Sequence, residues 1–372
     1  MDYMKIKVTN ASAITKIKEA IYCHPSVYMK PLELKYRFDE EKYGLNFILY
    51  MKDNNESLYI TGSLHHFYNL YNFGKKQNYD DFTFTQMKVA LYQMSDLINC
   101  DLRLLKVIRF EFGINIRCLQ KPSYLINNIL YLNGKVTPDK KRYNKNGGLQ
   151  KLFSTDSYEV KIYDKSSESG LYKNSRLNII EDLIRIEIVF LDSAYSQNYG
   201  GIYSLADFLS FEIVSHLYDL LLSHWSRILF LDSLKPESTF SDKEKAYFNQ
   251  CCVIDYFADP NKVHFKGDGK KRLYRYNKFV TFLDNKNYRS DFEEVTKIIE
   301  AKCKYLLMPE NEKIEYLMKK IFDKELDMES LPKKEIYDRM PATFGFGLTE
   351  TEVVDIRLSY DAIRRLKDSG HL

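Results

Sequence analysis

Three short segments of the chain alternate apolar and polar residues, and this alternation limits the possible folds more than any other feature. The segments are residues 107–113, 159–165 and 183–188. Because successive side chains of a β-strand point to opposite faces, each segment predicts a strand with one apolar face and one polar face. The polar positions hold the chemically useful side chains Arg109, Glu111, Lys161, Tyr163, Lys165, Arg185 and Glu187. We therefore expect a sheet with one buried face and one exposed, charged face.

The bulk composition bounds the class of protein. With 372 residues, 45% of them apolar, the chain is long enough for one large domain with an appendage or for two domains. A formal charge of +4 is too small to indicate a nucleic-acid partner by itself. The 30 tyrosines are compatible with stacking on unpaired bases, and equally with an AT-biased coding sequence.

Cysteine usage and hydropathy predict a soluble, intracellular protein. None of the six cysteines forms a C-x-x-C pair, so reduced thiols are expected rather than a zinc site. The first ten residues lack the apolar stretch of a signal peptide. The longest apolar-rich stretch, residues 213–231, is interrupted by polar and charged residues, so it predicts a buried helix rather than a membrane span.

Other local patterns predict the remaining elements. Residues 31–69 predict a β-hairpin or meander because two apolar runs flank a turn-rich stretch. Thr83 and Gln86 form a capping-box pattern that begins a helix. A shorter helix is predicted at about 123–132, and a long apolar helix within 204–232.

A stretch with Pro and Ser at residues 234–239 predicts a domain boundary. From residue 240 onward the chain is charged and mainly helical in pattern, and it contains a basic tract at 262–278. We therefore expect an α+β domain over residues 1–235 and a mainly helical domain over residues 236–372, with a role in binding DNA or a partner as one option.

A basic segment at residues 134–151 predicts a mobile loop that contacts phosphates without reading bases. Its cations are Lys140, Lys141 and Arg142. A charge run is usually a solvated face, and that alternative stays open. Contact with DNA is favoured here because the loop leads directly into the segment that contains Tyr163.

Tyr163 lies in the sequence Lys-Ile-Tyr-Asp-Lys, between Lys161 and Lys165. On a strand, these three side chains point the same way. A phenol that attacks phosphorus must lose its proton, and nearby ammonium groups favour the phenolate form. A divalent cation would polarise the phosphate. A surface tyrosine without function is the competing interpretation.

Two adjacent histidines, His65 and His66, end the predicted hairpin. If the strand continued this far, His65 would share a face with Thr61 and Ser63. Imidazole beside carboxylates is a suitable ligand for Mn²⁺-like metals. Histidines in a loop are the alternative.

The order of these motifs resembles a known family. The series consists of residues 62–69, a helix, Arg109-Phe110-Glu111, residues 161–165, Leu183-Ile184-Arg185-Ile186-Glu187 and a helix at 205–208. It is similar to the replication endonucleases of filamentous phages, and most of all to phage and plasmid replication initiators of Bacteroidetes-type hosts. It resembles more distantly the plasmid rolling-circle initiators that carry an Ile-Tyr-Asp-Lys segment before an Arg-x-Glu strand. The resemblance covers about residues 40–235.

The resemblance implies roles for individual residues. Tyr163 matches the nucleophile of the family and Lys165 its cationic helper. Glu111 and Glu187 match the acidic positions of the two Arg-x-Glu strands and are metal-ligand candidates. His65 matches a histidine frequent in the Bacteroidetes-type members, whereas the filamentous-phage enzymes lack it. A His-hydrophobic-His triplet is missing, so the metal motif of related relaxases is absent or replaced.

Together these expectations describe an α+β, Rep-like (HUH-type) nuclease domain with an antiparallel sheet and helices on one face. The implied reaction is metal-dependent nicking and rejoining of one strand of single-stranded or extruded origin DNA through a 5′-phosphotyrosine, with Mg²⁺ or Mn²⁺ as cofactor. Host helicase and polymerase are the implied partners, in the cytoplasm of a bacterial host. Arg109, Arg185 and Lys161 are the expected phosphate contacts, although both arginines are equally suited to ion pairs within the sheet.

Two other classes of function stay open. One is a non-catalytic origin-binding or copy-control protein, which would bind DNA with strong salt dependence and form no adduct. The other is a mobilisation relaxase that uses the same tyrosine chemistry in conjugative transfer.

Overall fold

The computed structural model describes residues 3–21, 26–30, 33–37, 44–52, 55–75, 77–117, 120–132, 148–169, 182–253, 269–309 and 312. In chain order its elements are β1 (Tyr3–Val8), α1 (Ala11–Ala20), β2 (Ser26–Lys30), β3 (Glu33–Arg37), β4 (Leu45–Lys52), β5 (Asn55–Gly62), α2 (Leu64–Phe73), α3 (Phe84–Ile98), a first 3-10 helix (Leu102–Leu104), β6 (Lys106–Arg117), α4 (Pro122–Asn127), β7 (Ile129–Leu132), β8 (Gln150–Ser154), β9 (Tyr158–Asp164), α5 (Lys165–Ser169), β10 (Leu183–Phe190), α6 (Ser193–Gly200), a second 3-10 helix (Leu205–Leu209), α7 (Phe211–Ser226), β11 (Ile228–Phe230), α8 (Asp242–Cys251), α9 (Gly269–Asn285) and α10 (Ser290–Leu307).

The fold class is α+β with antiparallel strands, as the sequence predicts. Contacts divide the chain into two compact units. Unit 1 comprises Met1–Arg117, Asp192–Leu217 and Lys302–Leu372, and unit 2 comprises Cys118–Leu191 and Tyr218–Ala301. The limits of these units differ from the domain boundary predicted after residue 235. The two domains predicted from the sequence stay a prediction.

Unit 1 contains an antiparallel sheet in the strand order β2-β3-β4-β5-β1-β6. One face of this sheet is apolar and fully buried, and its side chains are Met4, Ile6, Val8, Leu45, Phe47, Leu49, Leu58, Ile60, Phe110 and Phe112. Helix α1 packs beside β5 and α3, and the ring of Phe208 meets Phe110 edge-on at a centroid distance of 5.2 Å. Period-2 burial of this kind is what places the core on one side of a sheet.

The predicted hairpin and the predicted helix start are both confirmed in unit 1. Strands β4 and β5 pair in register from Leu45 opposite Gly62 to Lys52 opposite Asn55. Helix α3 begins after Thr83, whose hydroxyl accepts from the Gln86 amide while the Gln86 side chain accepts from the Thr83 amide. This reciprocal pair satisfies two amides that the first helical turn would otherwise leave without partners.

Strand β6 contains a β-bulge that the alternation of its sequence does not reveal. Lys5 of β1 lies opposite Arg109, but the next residue, Ile6, lies opposite Val107, so Ile108 is an extra residue. The bulge allows Val107 and Phe110, which differ in parity, both to be buried. Beyond it, Arg109 and Glu111 share the face opposite to Phe110.

Unit 2 contains a three-stranded antiparallel arrangement in the order β10-β9-β8 and a two-stranded pair of β11 with β7. The short pair corrects two predictions. The helix expected at 123–132 ends at Asn127. The long apolar helix, expected to begin at Ser204 and to end near Asp232, begins at Phe211 after a separate 3-10 helix and ends at Ser226. Ile228–Phe230 and Ile129–Leu132 are buried at every position and pair with each other, so tertiary pairing overrides their helical pattern.

Helices α8 and α9 pack with β7 and β11 around an aromatic cluster that includes Tyr131, Phe240, Phe248 and Phe279. The described residues between 240 and 309 are helical apart from their connections, which agrees with the predicted helical pattern. No helix in the described part of the chain is long and apolar enough to span a membrane.

Candidate functional site

The pairing of β9 with β10 places four of the predicted site residues on one face of unit 2. Tyr163 lies directly opposite Arg185, and Lys161 lies directly opposite Glu187. Directly opposite residues of an antiparallel pair share a face and approach within side-chain reach. The three strand-like segments of the sequence are thus confirmed as strands, and two of them form one cluster.

The Glu187 carboxylate is the centre of this cluster. Arg185 Nε donates to Glu187 Oε2 at 2.8 Å, and Lys161 Nζ lies 3.4 Å from Oε1. The Tyr163 hydroxyl donates to Oε2 at 3.5 Å. Arg185 and Glu187 have side chains only 3% and 2% exposed, whereas Lys161 is 25% exposed. The cluster therefore consists of the buried ion pair of Arg185 with Glu187 and, at its more exposed edge, the phenol of Tyr163 and the ammonium of Lys161.

The exposure predicted for β10 is wrong. All eight residues of this strand are buried, including Arg185 and Glu187, which the sequence places on an exposed polar face. Alternation reports which residues share a face, but not whether that face is open. A charged side chain tolerates burial when an opposite charge lies close to it, as it does in this cluster.

The alternating segment predicts that Lys165 lies on strand β9, and this prediction is wrong. The strand ends at Asp164, whose carboxylate accepts from both the amide and the hydroxyl of Ser167 and so begins α5. Lys165 is the first residue of this helix, is 1% exposed and pairs with Glu168 at 2.8 Å. Its Nζ still lies 5.9 Å from the centroid of the Tyr163 ring. We call Tyr163, Lys161, Lys165, Arg185 and Glu187 the Tyr163 cluster.

Arg109 and Glu111 lie on β6 in unit 1, opposite Lys5 and Tyr3 of β1. The Arg109 guanidinium carbon is 5.8 Å from the centroid of the Tyr3 ring. Burial raises the pKa of the Tyr3 hydroxyl, the charge of Arg109 opposes this rise, and the charge of Glu111 adds to it. This Arg-x-Glu pair therefore has a tyrosine beside it, as the pair on β10 does.

His65 does not extend β5, because Ser63 caps a helix that begins at Leu64. The imidazole is 2% exposed, stacks on Phe82 at a centroid distance of 4.6 Å, and places Nε2 2.8 Å from Asp80 Oδ1. Asn69 also donates to the Asp80 carboxylate. Burial tends to raise the pKa of Asp80, but the hydrogen bond and charge of His65 together with a hydrogen bond from Gln77 hold it below its usual value. These bonds fasten the loop before α3 to helix α2.

Asp80 is a residue that the sequence analysis missed. Its partners His65 and Asn69 lie 15 and 11 residues before it in the chain, on helix α2, and no spacing rule connects them to Asp80. The same holds for the ion pair of Lys302 with Asp81, both of them buried and 2.5 Å apart. Pairings between distant segments leave no local signal in a single sequence.

Binding of Mg²⁺ or Mn²⁺ stays a prediction. Within the described ranges, no group of three or more His, Cys, Asp or Glu side chains is placed to hold one. The carboxylate of Glu187 pairs with two cations, and Nε2 of His65 lies 2.8 Å from Asp80. Mg²⁺ is usually bound through one or two protein carboxylates and keeps several of its waters, so the predicted ligands Glu111, Glu187 and His65 stay untested.

The predicted DNA contacts Lys140, Lys141 and Arg142 lie outside the residues that the structure describes, and so do residues 262–268 of the basic tract at 262–278. The remaining residues of that tract, 269–278, belong to α9. The role of both basic segments stays a prediction.

Comparison of the chain with protein-family models finds no match, and comparison with curated proteins finds no significantly similar sequence. The function of the Tyr163 cluster is therefore argued from its chemistry.

Proposed function

We propose that the chain initiates rolling-circle replication of a phage or plasmid by nicking one DNA strand at the origin. In this proposal Tyr163 is the nucleophile of a Rep-like nuclease domain, and the reaction forms a covalent 5′-phosphotyrosine that is later rejoined. A host polymerase extends the released 3′-OH, a host helicase unwinds the duplex, and the helical C-terminal segment contacts DNA or one of these partners.

One observation supports the proposal most strongly. The Tyr163 hydroxyl lies 3.5 Å from a carboxylate oxygen that Arg185 holds in place, and Tyr163 is only partly buried. A nucleophile within reach of a positioned proton acceptor is the arrangement that covalent catalysis requires. Lys161 and Lys165 add positive charge on two sides of the phenol, which favours the phenolate and attracts a phosphate.

In the proposed step, the Tyr163 oxygen attacks the phosphorus of a backbone phosphodiester. The bond from tyrosine oxygen to phosphorus forms as the bond from phosphorus to the 3′ oxygen breaks. The Tyr163 proton passes to Glu187 Oε2, and the departing 3′ oxygen takes a proton from water to become a 3′-OH. The reverse sequence rejoins the strand.

Dependence on Mg²⁺ or Mn²⁺ is implied by the family resemblance, and Glu111 remains the first ligand candidate. The step above is written for the residues of the Tyr163 cluster alone. Adduct formation in the presence of EDTA tests this part separately. Loss of the adduct, mimicked by Glu111→Gln, supports metal dependence, and an unchanged adduct contradicts it without affecting the assignment of Tyr163.

A second function is supported by the ion pairs within the same cluster. Glu187 paired with both Arg185 and Lys161 is also what a purely structural ion-pair network looks like. In that case the chain binds origin DNA and controls copy number without cutting the strand.

The experiment that separates the two functions is a search for a covalent adduct. The protein is incubated with labelled single-stranded or supercoiled DNA of the replicon that encodes it. The mixture is then denatured and resolved by gel electrophoresis. The nuclease proposal predicts a labelled protein band that Tyr163→Phe abolishes. Tyr199→Phe is the matched control, because Tyr199 is 57% exposed on α6 and should leave the band unchanged. DNA binding without any adduct in the wild-type protein would support the second function.

A further inference from the structure

A second surface with nucleic-acid chemistry lies in unit 1, on the sheet face opposite the apolar core. Lys5 pairs with Arg109, Lys7 pairs with Lys106, and on the other side Lys7 pairs with Tyr59, so these side chains share one face. Tyr3 and Tyr50 lie on the same face of β1 and β4. We call Tyr3, Lys5, Lys7, Tyr50, Tyr59, Lys106 and Arg109 the tyrosine–lysine face.

The burial of alternate residues shows that this face is more open than the other. Along β1, Met4, Ile6 and Val8 are 0% exposed, whereas Tyr3 and the two lysines between them are only half-buried. Strand β5 repeats this pattern. Leu58 and Ile60 are fully buried on the core face of the sheet, whereas Tyr59, on the opposite face, is half-buried.

Tyr59 is at the centre of the face. The Nζ atoms of Lys5 and Lys7 lie 5.4 Å and 5.8 Å from the centroid of its ring, and the ring of Tyr50 meets it edge-on at 5.2 Å. Aromatic rings bracketed by cations provide a stacking surface for a base together with positive charge for the phosphates on either side.

The face carries more positive than negative charge. Lys5, Lys7, Lys106 and Arg109 contribute four cations, and among the described residues of β1, β5 and β6 on this face Glu111 is the one carboxylate. Arg109 Nε is buried and has no hydrogen-bond partner among the described residues. An acceptor-rich, polyanionic ligand complements this surface.

We propose that the tyrosine–lysine face binds single-stranded DNA by stacking an unpaired base on Tyr59 and by phosphate contacts from Lys5, Lys7 and Arg109. Duplex DNA hides the faces of its bases and offers mainly phosphates, so the tyrosine rings of the face would contribute little to its binding. The choice of DNA over RNA rests on the proposed function. The face itself is argued from unit 1 alone and does not depend on Tyr163.

The test is the affinity of the full chain for a labelled oligodeoxythymidylate, measured by fluorescence anisotropy over a series of salt concentrations. Tyr59→Leu is expected to weaken binding by about 5- to 150-fold, the range found when a stacked base loses its aromatic partner. Tyr59→Phe, which keeps the ring, should retain the wild-type affinity. Lys7→Gln should lower the slope of log affinity against log salt by about 0.7, the value for one lost phosphate contact on a single strand.

Tyr92→Leu is the matched control, because Tyr92 is 53% exposed on α3 of the same unit and away from the sheet face. It should bind the oligonucleotide as the wild-type protein does. Circular dichroism verifies that each variant is folded, and the Lys7→Gln salt slope decides the matter if Tyr59→Leu does not fold.

Three results would overturn the proposal. The first is an affinity of Tyr59→Leu equal to that of the wild-type protein, together with an unchanged salt slope for Lys7→Gln. The second is an equal affinity of the wild-type protein for the single strand and for a duplex of the same length. The third is tighter binding of the corresponding RNA than of the oligodeoxythymidylate. The assay involves no chemistry, so its outcome is independent of whether Tyr163 forms an adduct.

Discussion

Replacing Glu187 by Gln removes the charge on which the Tyr163 cluster depends while preserving the shape of the side chain. Arg185 is 3% exposed and donates to Glu187 at 2.8 Å, so the substitution leaves a buried guanidinium without its counter-ion. Breaking a buried ion pair in this way costs about 3–5 kcal/mol of folding free energy. Because the glutamine oxygen still accepts one hydrogen bond, we expect the lower end, about 3 kcal/mol.

A double-mutant cycle sharpens this prediction. Arg185→Met leaves Glu187 with Lys161, whose Nζ is 3.4 Å away and more exposed, and should destabilise by about 2–3 kcal/mol. The double variant Glu187→Gln/Arg185→Met contains neither buried charge and should cost no more than either single change. The expected coupling energy is therefore at least about 3 kcal/mol. Lys161→Met, as a control at the exposed edge, should cost no more than about 1 kcal/mol.

The protein contains its own probe for this measurement. Trp225 is the one tryptophan of the chain, and it belongs to the same unit as the cluster. Its indole is 3% exposed, stacks on Phe292 at 5.4 Å and donates to Thr296. Urea unfolding followed by tryptophan fluorescence therefore reports the stability of unit 2. Free-energy changes of the two single variants that add within about 0.5 kcal/mol in the double variant would refute a coupled cluster.

Three further predictions concern other parts of the molecule. Lys302→Met should destabilise unit 1 by about 3–5 kcal/mol, because it removes the ammonium that lies 2.5 Å from the buried Asp81 carboxylate. In calorimetry, the double variant Lys302→Met/Asp81→Asn should recover part of this loss. Burial, and then the charge of Arg227, lower the pKa of His224 to about 4, so the unfolded chain takes up a proton at this residue before the folded chain does. The contribution of His224 to the free energy of unfolding is complete above pH ~6.5 and should fall by about 3 kcal/mol as the pH drops toward 4. In urea unfolding at a series of pH values, His224→Phe should reduce this loss of stability. Glu187→Gln, if it still folds, should slow adduct formation by about 10²- to 10⁴-fold, the contribution of a general base, and an unchanged rate would contradict the proton transfer from Tyr163.

Local sequence signals predicted the strands and helix starts well. The alternation of β6, β9 and β10 and the capping box at Thr83 depend on residues close together in the chain, and the structure confirms each of them. Where the predictions fail, long-range pairing decides the conformation. The segment after Ser226 is a strand because β7 pairs with it, and Ile108 is a bulge because β1 fixes the register on both sides.

The candidate site was predictable in its members but not in its environment. Period-2 spacing correctly grouped Lys161 with Tyr163 and Arg185 with Glu187. It did not show that β10 is buried, that Lys165 begins a helix, or that His65 is held by Asp80. Burial and hydrogen bonding depend on which elements lie nearby, and that information is distributed over the whole chain.

The central claim is that Tyr163 becomes covalently attached to the 5′ phosphate of a nicked strand. It is tested most directly by trapping the adduct on the DNA of the replicon, digesting both protein and DNA, and identifying the modified peptide by mass spectrometry. The account predicts a nucleotide phosphate on Tyr163. A phosphate carried by any other residue, or an unmodified protein in a reaction that nicks DNA, would contradict it.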